Sequence, residues 1–171
     1  MALIKSVRGF TPKIHESCFL ADNATIIGDV SIGEFCSIWF NTVIRGDVNS
    51  IIIGTEVNIQ DGVVIHCTYE KSITTIGDRV SIGHNAIVHG CTIESDVLVG
   101  MGSIIMDHVT IPSNVIIGAG AVIPEGIQLE EGYIYAGIPA KKLKKIDPEN
   151  FKFFIERTAK NYQLYANWFK D

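Results

Sequence analysis

The sequence lacks any apolar run near the roughly 18 residues that a membrane-spanning helix needs, and Met1–Phe10 lacks the apolar segment of a signal peptide. No CxxC pair occurs among its four cysteines, Cys18, Cys36, Cys67 and Cys91, which is typical of reduced thiols in a cytoplasmic protein. Aromatic residues make up only 9%, so the core has to be built from aliphatic side chains. The net charge of −5 disfavours nucleic acid as a partner, because phosphate binding needs a basic surface. We therefore expect a cytoplasmic protein that binds neither membrane nor nucleic acid.

Aliphatic residues recur at intervals of six along most of the chain. The series are Leu20, Ile26, Ile32, Ile38, Ile44; Ile53, Ile59, Ile65; Ile76, Ile82, Val88; and Ile93, Val99, Ile105, Ile111, Ile117, Ile123, Leu129. A helix does not have this period, and simple strand alternation would not place turns so regularly. A short strand and a turn every six residues, with three hexapeptides in each triangular coil, predict an all-β fold. We expect a parallel β-helix of about six to seven coils over residues 14–132. Hexapeptide coils of this kind are known to be left-handed, so we expect that hand, although the repeat alone does not determine it.

Three intervals break this spacing. They are Ile44–Ile53 with nine residues, Ile65–Ile76 with eleven and Val88–Ile93 with five. We interpret the first as about three residues inserted after Asp47, and the second as two hexapeptides that lack one residue. Irregular positions in a regular solenoid are where function tends to be placed.

The repeat ends near residue 140, and a helix is predicted after it. Asp147 is a candidate N-cap, followed by Pro148 at the first helical position. The residues with helical spacing are Phe151, Phe154, Ile155, Thr158, Tyr162, Tyr165 and Phe169. We expect a β-helix domain at residues 1–140, and a linker with a C-terminal α-helix that packs on the prism at residues 141–171.

Three histidines, His66, His84 and His89, are expected to point outward from the coils. The interpretation of the intervals places Arg45, His66 and His84 in a column on one face, and His89 on the next face. Three neutral imidazoles form the open tetrahedral site of a catalytic zinc, but spacing alone leaves structural or surface histidines equally open. With His89 on another face, one metal site would need two chains side by side, as in a three-fold trimer.

Several segments carry the same residues in the same order as a known family. They are Ile44-Arg-Gly-Asp47, Asn58-Ile-Gln-Asp-Gly62 with Val64-Ile-His66, Ile82-Gly-His-Asn-Ala-Ile-Val-His89, Gly100-Met-Gly-Ser103 and Tyr135-Ala-Gly-Ile-Pro-Ala-Lys141. Together they resemble the gamma-class carbonic anhydrase-like proteins, over roughly residues 10 to 146. The last segment discriminates little, because hexapeptide acyltransferases share it.

The resemblance implies a left-handed β-helix homotrimer with zinc, iron or cobalt at each of three subunit interfaces. His66 and His89 would come from one chain and His84 from its neighbour. The implied activity is the reversible hydration of CO₂ by metal-bound hydroxide, which a metal ion makes available at neutral pH.

The resemblance also assigns roles to residues around the metal. The implied set is Arg45 paired with Asp61 across the interface, Asp47 in the same polar network, Gln60 bonded to the metal-bound water, and Tyr135 near the metal. Active members carry a longer acidic loop between the first two histidines. In this chain, residues 67–83 offer only Glu70 near the first ligand, so Glu70 is the candidate proton carrier.

Two other functions stay open at this point. The same prism carries acyl-CoA-dependent acyltransferases and thioesterases, which usually need one base histidine and a groove between coils for pantetheine. The chain could also be a trimeric protein that holds its metal for assembly, without fast catalysis. Stability in the presence of a chelator distinguishes this metal-holding protein from an enzyme, because a purely structural metal is needed for folding.

Overall fold

The computed structural model describes residues 1–169 as a parallel β-helix with three faces and a C-terminal helical segment. The strands are β1 Leu3–Lys5, β2 Lys13–Ile14, β3 Phe19–Leu20, β4 Thr25–Ile32, β5 Ser37–Ile38, β6 Val43–Ile53, β7 Asn58–Ile59, β8 Val64–His66, β9 Thr74–Ile76, β10 Ser81–Ile82, β11 Ile87–His89, β12 Thr92–Ile93, β13 Leu98–Val99, β14 Ile104–Ile105, β15 Thr110–Ile111, β16 Ile116–Ile117, β17 Val122–Ile123, β18 Tyr133–Gly137 and β19 Ala140–Lys145.

Each face is a stack of parallel strands. The first face contains β1, the first half of β4, the first half of β6, β8, β11, β14 and β17; the second contains β2, the second halves of β4 and β6, β9, β12 and β15; the third contains β3, β5, β7, β10, β13, β16 and β18. The third face thus has seven parallel rungs, and the predicted parallel β-helix of hexapeptides is confirmed.

The core is a set of stacked aliphatic columns, one per face. On the third face, Ile59, Ile82 and Val99 are in register on successive rungs, and none has measurable solvent exposure. Burying a side chain of this size stabilises the fold by roughly 1.5–3 kcal/mol. The free Cys67 also lies in this core, as its position after an outward-facing His66 predicts.

The first predicted insertion is confirmed. Gly28 pairs with Gly46 and Val30 pairs with Ile51, so β6 carries three more residues than β4 between these two pairs. These extra residues project at the corner between the first and second faces.

The interpretation of the second interval is wrong. Ile65 pairs with Ile44 on the first face, and Ile76 pairs with Ile53 on the neighbouring second face. Only one corner separates Ile65 from Ile76, so these eleven residues are one hexapeptide plus five inserted residues, not two hexapeptides less one. The insertion forms a loop at residues 67–73, at the same corner as the first insertion.

The correction reassigns the faces of the histidines. His89 pairs in register with His66 on the first face. His84 follows β10 of the third face and lies in the turn toward the first face. The column of Arg45, His66 and His84 predicted from the interval count is therefore wrong, whereas the grouping of His66 with His89 implied by the family resemblance agrees with the structure.

The chain ends in a hairpin and a helical segment. β19 pairs antiparallel with β18, so residues 141–145, predicted as linker, form a strand. The helical segment consists of α1 Pro148–Asn150, a π-helical stretch Phe151–Glu156 and α2 Arg157–Asn167.

The predicted helix start is confirmed, and the segment packs on the third face. The Asp147 side chain accepts a hydrogen bond from the Asn150 N–H at 2.8 Å, as an N-cap does. Tyr162 meets Trp39 edge-on with ring centroids 5.4 Å apart, and Ile155 is buried. Within residues 1–169, no helix is long and apolar enough to cross a membrane.

Candidate metal centre

His66 and His89 form the centre of the site, at the ends of β8 and β11. Because the two strands are neighbours in register, the two imidazoles project side by side from the first face. Nδ1 of His66 lies 3.2 Å from Nε2 of His89. Both rings are partly buried, with ring centroids 5.2 Å apart.

In each ring, the nitrogen that points away from the other histidine lies within hydrogen-bond distance of a carboxylate. Asp107 Oδ1 lies 2.5 Å from Nδ1 of His89, and Asp47 Oδ1 lies 3.0 Å from Nε2 of His66. An ionised carboxylate only accepts hydrogen bonds, so each of these nitrogens carries the ring proton. The two nitrogens that face each other are then both unprotonated when the rings are neutral.

This arrangement fits a bound cation. Two facing lone pairs cannot hydrogen-bond to each other, but both can coordinate one metal ion. Two nitrogens at 2.0–2.1 Å from a tetrahedral zinc are about 3.3 Å apart, close to the separation of the two histidine nitrogens in this structure. The carboxylate behind each ring is the usual orienting partner of a zinc-bound histidine.

The protonation states agree with this description. Burial, reinforced by the nearby charge of Arg45, lowers the pKa of His66 and favours its neutral form, although its bond to Asp47 acts in the opposite direction. Burial alone would raise the pKa of Asp47, but hydrogen bonds from Arg45 and His66 lower it below its usual value. In the same way, Thr68 and His89 outweigh burial and lower the pKa of Asp107. Both aspartates are therefore carboxylates near pH 7.

His84 has an equivalent arrangement elsewhere on the prism. Asp61 Oδ2 lies 2.9 Å from Nδ1 of His84, which leaves Nε2 as the acceptor. The Tyr162 hydroxyl donates to this Nε2 at 3.3 Å, and burial, with the Asp61 charge nearby, raises the pKa of Tyr162 to about 12, so the hydroxyl keeps its proton. Within residues 1–169, no three potential ligands of one chain are arranged to hold a metal ion.

Comparison with known proteins supports the family to which these residues point. A family described as the bacterial transferase hexapeptide matches residues 11–46 and 90–125, and the hexapeptide repeat of succinyl-transferase matches residues 73–106. A carbonic anhydrase of Geobacillus kaustophilus is 42% identical over 168 residues, which cover 98% of this chain and 91% of the relative. Gamma carbonic anhydrase 2 of Arabidopsis thaliana mitochondria is 38% identical over 92% of this chain. The chain belongs to the gamma carbonic anhydrase-like family.

Two further comparisons qualify this membership. The chain spans 59% of the length of the Arabidopsis gamma carbonic anhydrase. A crystal structure from Bacillus cereus, provisionally described as an acetyltransferase, is 41% identical and superposes with a TM-score of 0.95, covering 99% of this chain and 97% of that one. Gamma carbonic anhydrase-like chains and proteins described as transferases thus share this fold closely.

Two of the polar residues assigned by the family pattern lie beside His66. Arg45 Nη1 donates to Asp47 Oδ2 at 2.5 Å, while Oδ1 of the same carboxylate holds His66. Asp47 therefore joins Arg45 to His66 within one chain. Within one chain Asp61 binds His84 instead of Arg45, and the pairing of Arg45 with Asp61 across an interface stays a prediction.

Gln60 is buried beside His84. Its Nε2 donates to Asn58 Oδ1 at 3.0 Å, and its Oε1 accepts from the His84 backbone N–H at 3.2 Å. The side-chain amide is therefore held in one orientation, with one N–H left for another partner.

The two remaining candidates lie in different surroundings. Glu70 is exposed on the 67–73 loop and lines a cleft of about 260 Å³ together with Asp47, Ser50, Tyr69 and Arg8. Tyr135 lies in the core of the third face, and its hydroxyl accepts a hydrogen bond from the Glu130 N–H at 2.9 Å. The structure thus places Glu70 at the edge of the His66 site, but brings Tyr135 to neither His66 nor His89.

Sequence reasoning missed Asp107, Thr68 and Tyr162. Asp107 lies 18 residues after His89, the length of one coil, and this spacing could have revealed it. Thr68 contacts Asp107 across 39 residues, and Tyr162 contacts His84 across 78, so no local pattern connects either pair.

Proposed function

We propose that the protein is a metal-dependent gamma-type carbonic anhydrase that hydrates CO₂ reversibly at the subunit interfaces of a homotrimer. The observation that carries the proposal is the pair of unprotonated nitrogens of His66 and His89, 3.2 Å apart and each backed by a carboxylate. Zinc is the expected metal, with iron or cobalt as alternatives. His84 of a neighbouring chain would supply the third ligand.

The positions of the proposed ligands support a trimer. Each chain has two ligands on the first face and one at the turn after the third face, so neither set is complete alone. A contact between such unlike surfaces repeats around a rotation axis, and three copies of a triangular prism close the ring. Each interface would then contain one complete set of three histidines.

The bound metal would supply a water of lowered pKa, which is the nucleophile that CO₂ hydration needs at neutral pH. Asp47 and Asp107 keep the ring protons away from the coordinating nitrogens. Gln60 would donate its remaining N–H to the metal-bound water. Glu70, exposed beside Asp47, is the carboxylate that would exchange protons with buffer.

An acyl-CoA-dependent transferase or thioesterase is the second candidate. An apolar groove of about 530 Å³ runs between the third face and the helical segment, past His84. Its lining includes Leu98, Met101, Ile116 and Phe154. The groove and the similarity to a protein described as an acetyltransferase favour this function, in which His84 would act as the base. A protein that keeps its metal for assembly, without fast catalysis, is the third.

Metal content per chain tests the proposal. Tag-free protein purified anaerobically without chelator should contain about one zinc, iron or cobalt ion per chain by elemental mass spectrometry. His66→Ala and His84→Ala should lose it and keep the β-sheet circular dichroism, because both side chains point out of the core. His108→Ala, at an exposed turn, is the matched control and should keep the metal.

Wild-type protein without metal would reject the carbonic anhydrase proposal, and acyl-CoA substrates would then be assayed. If metal is present, stopped-flow CO₂ hydration separates an enzyme from a metal-holding protein. Unfolding of the wild type by a chelator would favour the metal-holding function.

A further inference from the structure

Asp107 connects a proposed metal ligand to the 67–73 loop. One carboxylate oxygen lies 2.5 Å from Nδ1 of His89, and the other accepts a hydrogen bond from the Thr68 hydroxyl at 2.5 Å. The side chain of Asp107 is only 16% exposed. Both oxygens therefore have protein partners, and the carboxylate cannot rotate without breaking one of the two bonds.

We propose that Asp107 is a positioning residue for the metal site, which fixes the tautomer and the ring orientation of His89. The inference rests on the proposed metal function. Since a carboxylate can only accept, Asp107 holds the ring proton on Nδ1 and leaves Nε2 unprotonated, facing His66. Thr68 acts one step further out, because its hydroxyl donates to the second oxygen of the same carboxylate.

The backbone after His89 leaves room for this contact. Gly90 has φ +55°, and a Cβ at this position would clash with the Asp107 carboxylate and the Ser72 hydroxyl. The Ser72 hydroxyl in turn accepts a hydrogen bond from the Thr68 N–H at 3.0 Å, which fixes the start of the loop. A glycine is therefore needed here for Asp107 to reach both partners.

The same loop is also tied to the other ligand. The backbone oxygen of His66 accepts hydrogen bonds from the Gly90 N–H at 3.0 Å and from the Thr74 hydroxyl at 2.7 Å. Thr74 follows the loop directly. The five inserted residues are thus anchored at Thr68 and at Thr74, next to the two histidines, and the site and the loop that carries Glu70 form one connected network.

Asp107 is the most buried of the three aspartates behind the histidines. The exposed fractions of the side chains are 16% for Asp107, 25% for Asp47 and 41% for Asp61. Water competes least for the most buried carboxylate, so its removal should disturb its histidine most.

The test is zinc affinity of the full-length protein, measured by competition with a chromogenic chelator. Asp107→Asn replaces an acceptor with an amide that can donate to Nδ1 and so favour the other tautomer. We expect a loss of about 10–100-fold in affinity, the usual effect of removing such a partner. Thr68→Val keeps the aspartate and should give a smaller loss, so a folding defect in Asp107→Asn does not prevent the test.

Asp96→Asn is the matched control. Asp96 also accepts two side-chain hydrogen bonds, from Nε and Nη2 of Arg79, and its side chain is 23% exposed, but it lies away from the histidines. This variant should bind zinc as tightly as the wild type. Nitrogen-15 NMR of the histidine rings in metal-free protein gives a second readout. It should show the Nδ1–H tautomer of His89 in the wild type and a shift away from it in Asp107→Asn.

The outcomes separate the two proposals. Wild-type affinity and an unchanged His89 tautomer in Asp107→Asn, beside loss of zinc in His66→Ala, would overturn the positioning role and leave the metal function intact. A wild-type protein that binds neither zinc, iron nor cobalt would overturn the metal function, and the inference with it.

Discussion

A subunit-mixing experiment tests the interfacial site most directly. Trimers made only of His66→Ala chains lack one ligand at every site, and so do trimers made only of His84→Ala chains. In a mixed trimer, a site is complete when an His84→Ala chain supplies His66 and His89 and its neighbour, an His66→Ala chain, supplies His84. Every mixed trimer contains one such site out of three, so about one third of the sites should be restored in trimers purified through both tags, and about one quarter in an unselected random mixture.

The assay is zinc per chain in trimers that are co-expressed with two different affinity tags and purified without chelator. The matched control is the mixture of His66→Ala with His89→Ala. Both residues lie on the first face of the same chain, only 3.2 Å apart, so no arrangement of these two variants gives a complete site. This mixture should contain no more zinc than either variant alone.

Two results would refute the reasoning. Absence of zinc from the His66→Ala with His84→Ala mixture, in trimers shown to contain both tags, would mean that the three histidines do not combine across an interface. Equal restoration in the control mixture would mean that His66 and His89 act from different chains.

Three further predictions follow from the contacts. Ile59→Ala, at a fully buried position of the third face, should lower the free energy of unfolding by about 2–5 kcal/mol in a denaturant titration; a loss under about 1 kcal/mol would contradict the core described above. Arg45→Ala removes the cation beside Asp47 and should shift the protein toward monomer in light scattering, whereas an unchanged trimer would show that the proposed pairing with Asp61 is dispensable. Glu70→Gln should slow CO₂ hydration in dilute buffer and recover with added imidazole; an equal rate without imidazole would exclude Glu70 as the proton carrier.

The fold was predictable because one rule governs almost every coil. A residue six positions after a core aliphatic lies on the next face. The short strands and tight corners direct its side chain into the core. Val99 and Ile117 illustrate this, since they are 18 residues apart, pair in register on the third face and are both fully buried. The helix start at Asp147 was predictable for a similar local reason, the capping bond within one turn.

The faces of the histidines were not predictable from spacing alone. Eleven residues between Ile65 and Ile76 equal both two hexapeptides less one and one hexapeptide plus five. The strand pairing decides between them, because Thr74–Ile76 lies beside Ile51–Ile53 and leaves only one corner for the loop. The polar run Thr68–Ser72 was the available signal for a loop at this position.

For another reason, the aspartate partner of His89 was not predicted from the sequence. A solenoid brings together residues one coil apart, so the partner of His89 lies 18 residues later and carries no motif of its own. The pairing of Asp107 with His89 is found only when residues one coil apart are compared, instead of residues that are neighbours in the sequence.

The strand β19 has a consequence for how the molecule ends. A stack of parallel rungs leaves the backbone amides and carbonyls of its last rung open, and such an edge can pair with another molecule and extend into a filament. β19 turns back and pairs antiparallel with β18, so that a different strand forms the edge. This edge strand carries four exposed lysines, Lys141, Lys142, Lys144 and Lys145, and charged side chains on an edge strand disfavour pairing with a further strand. On the third face, the last parallel rung is therefore covered and is not open to pairing with another molecule.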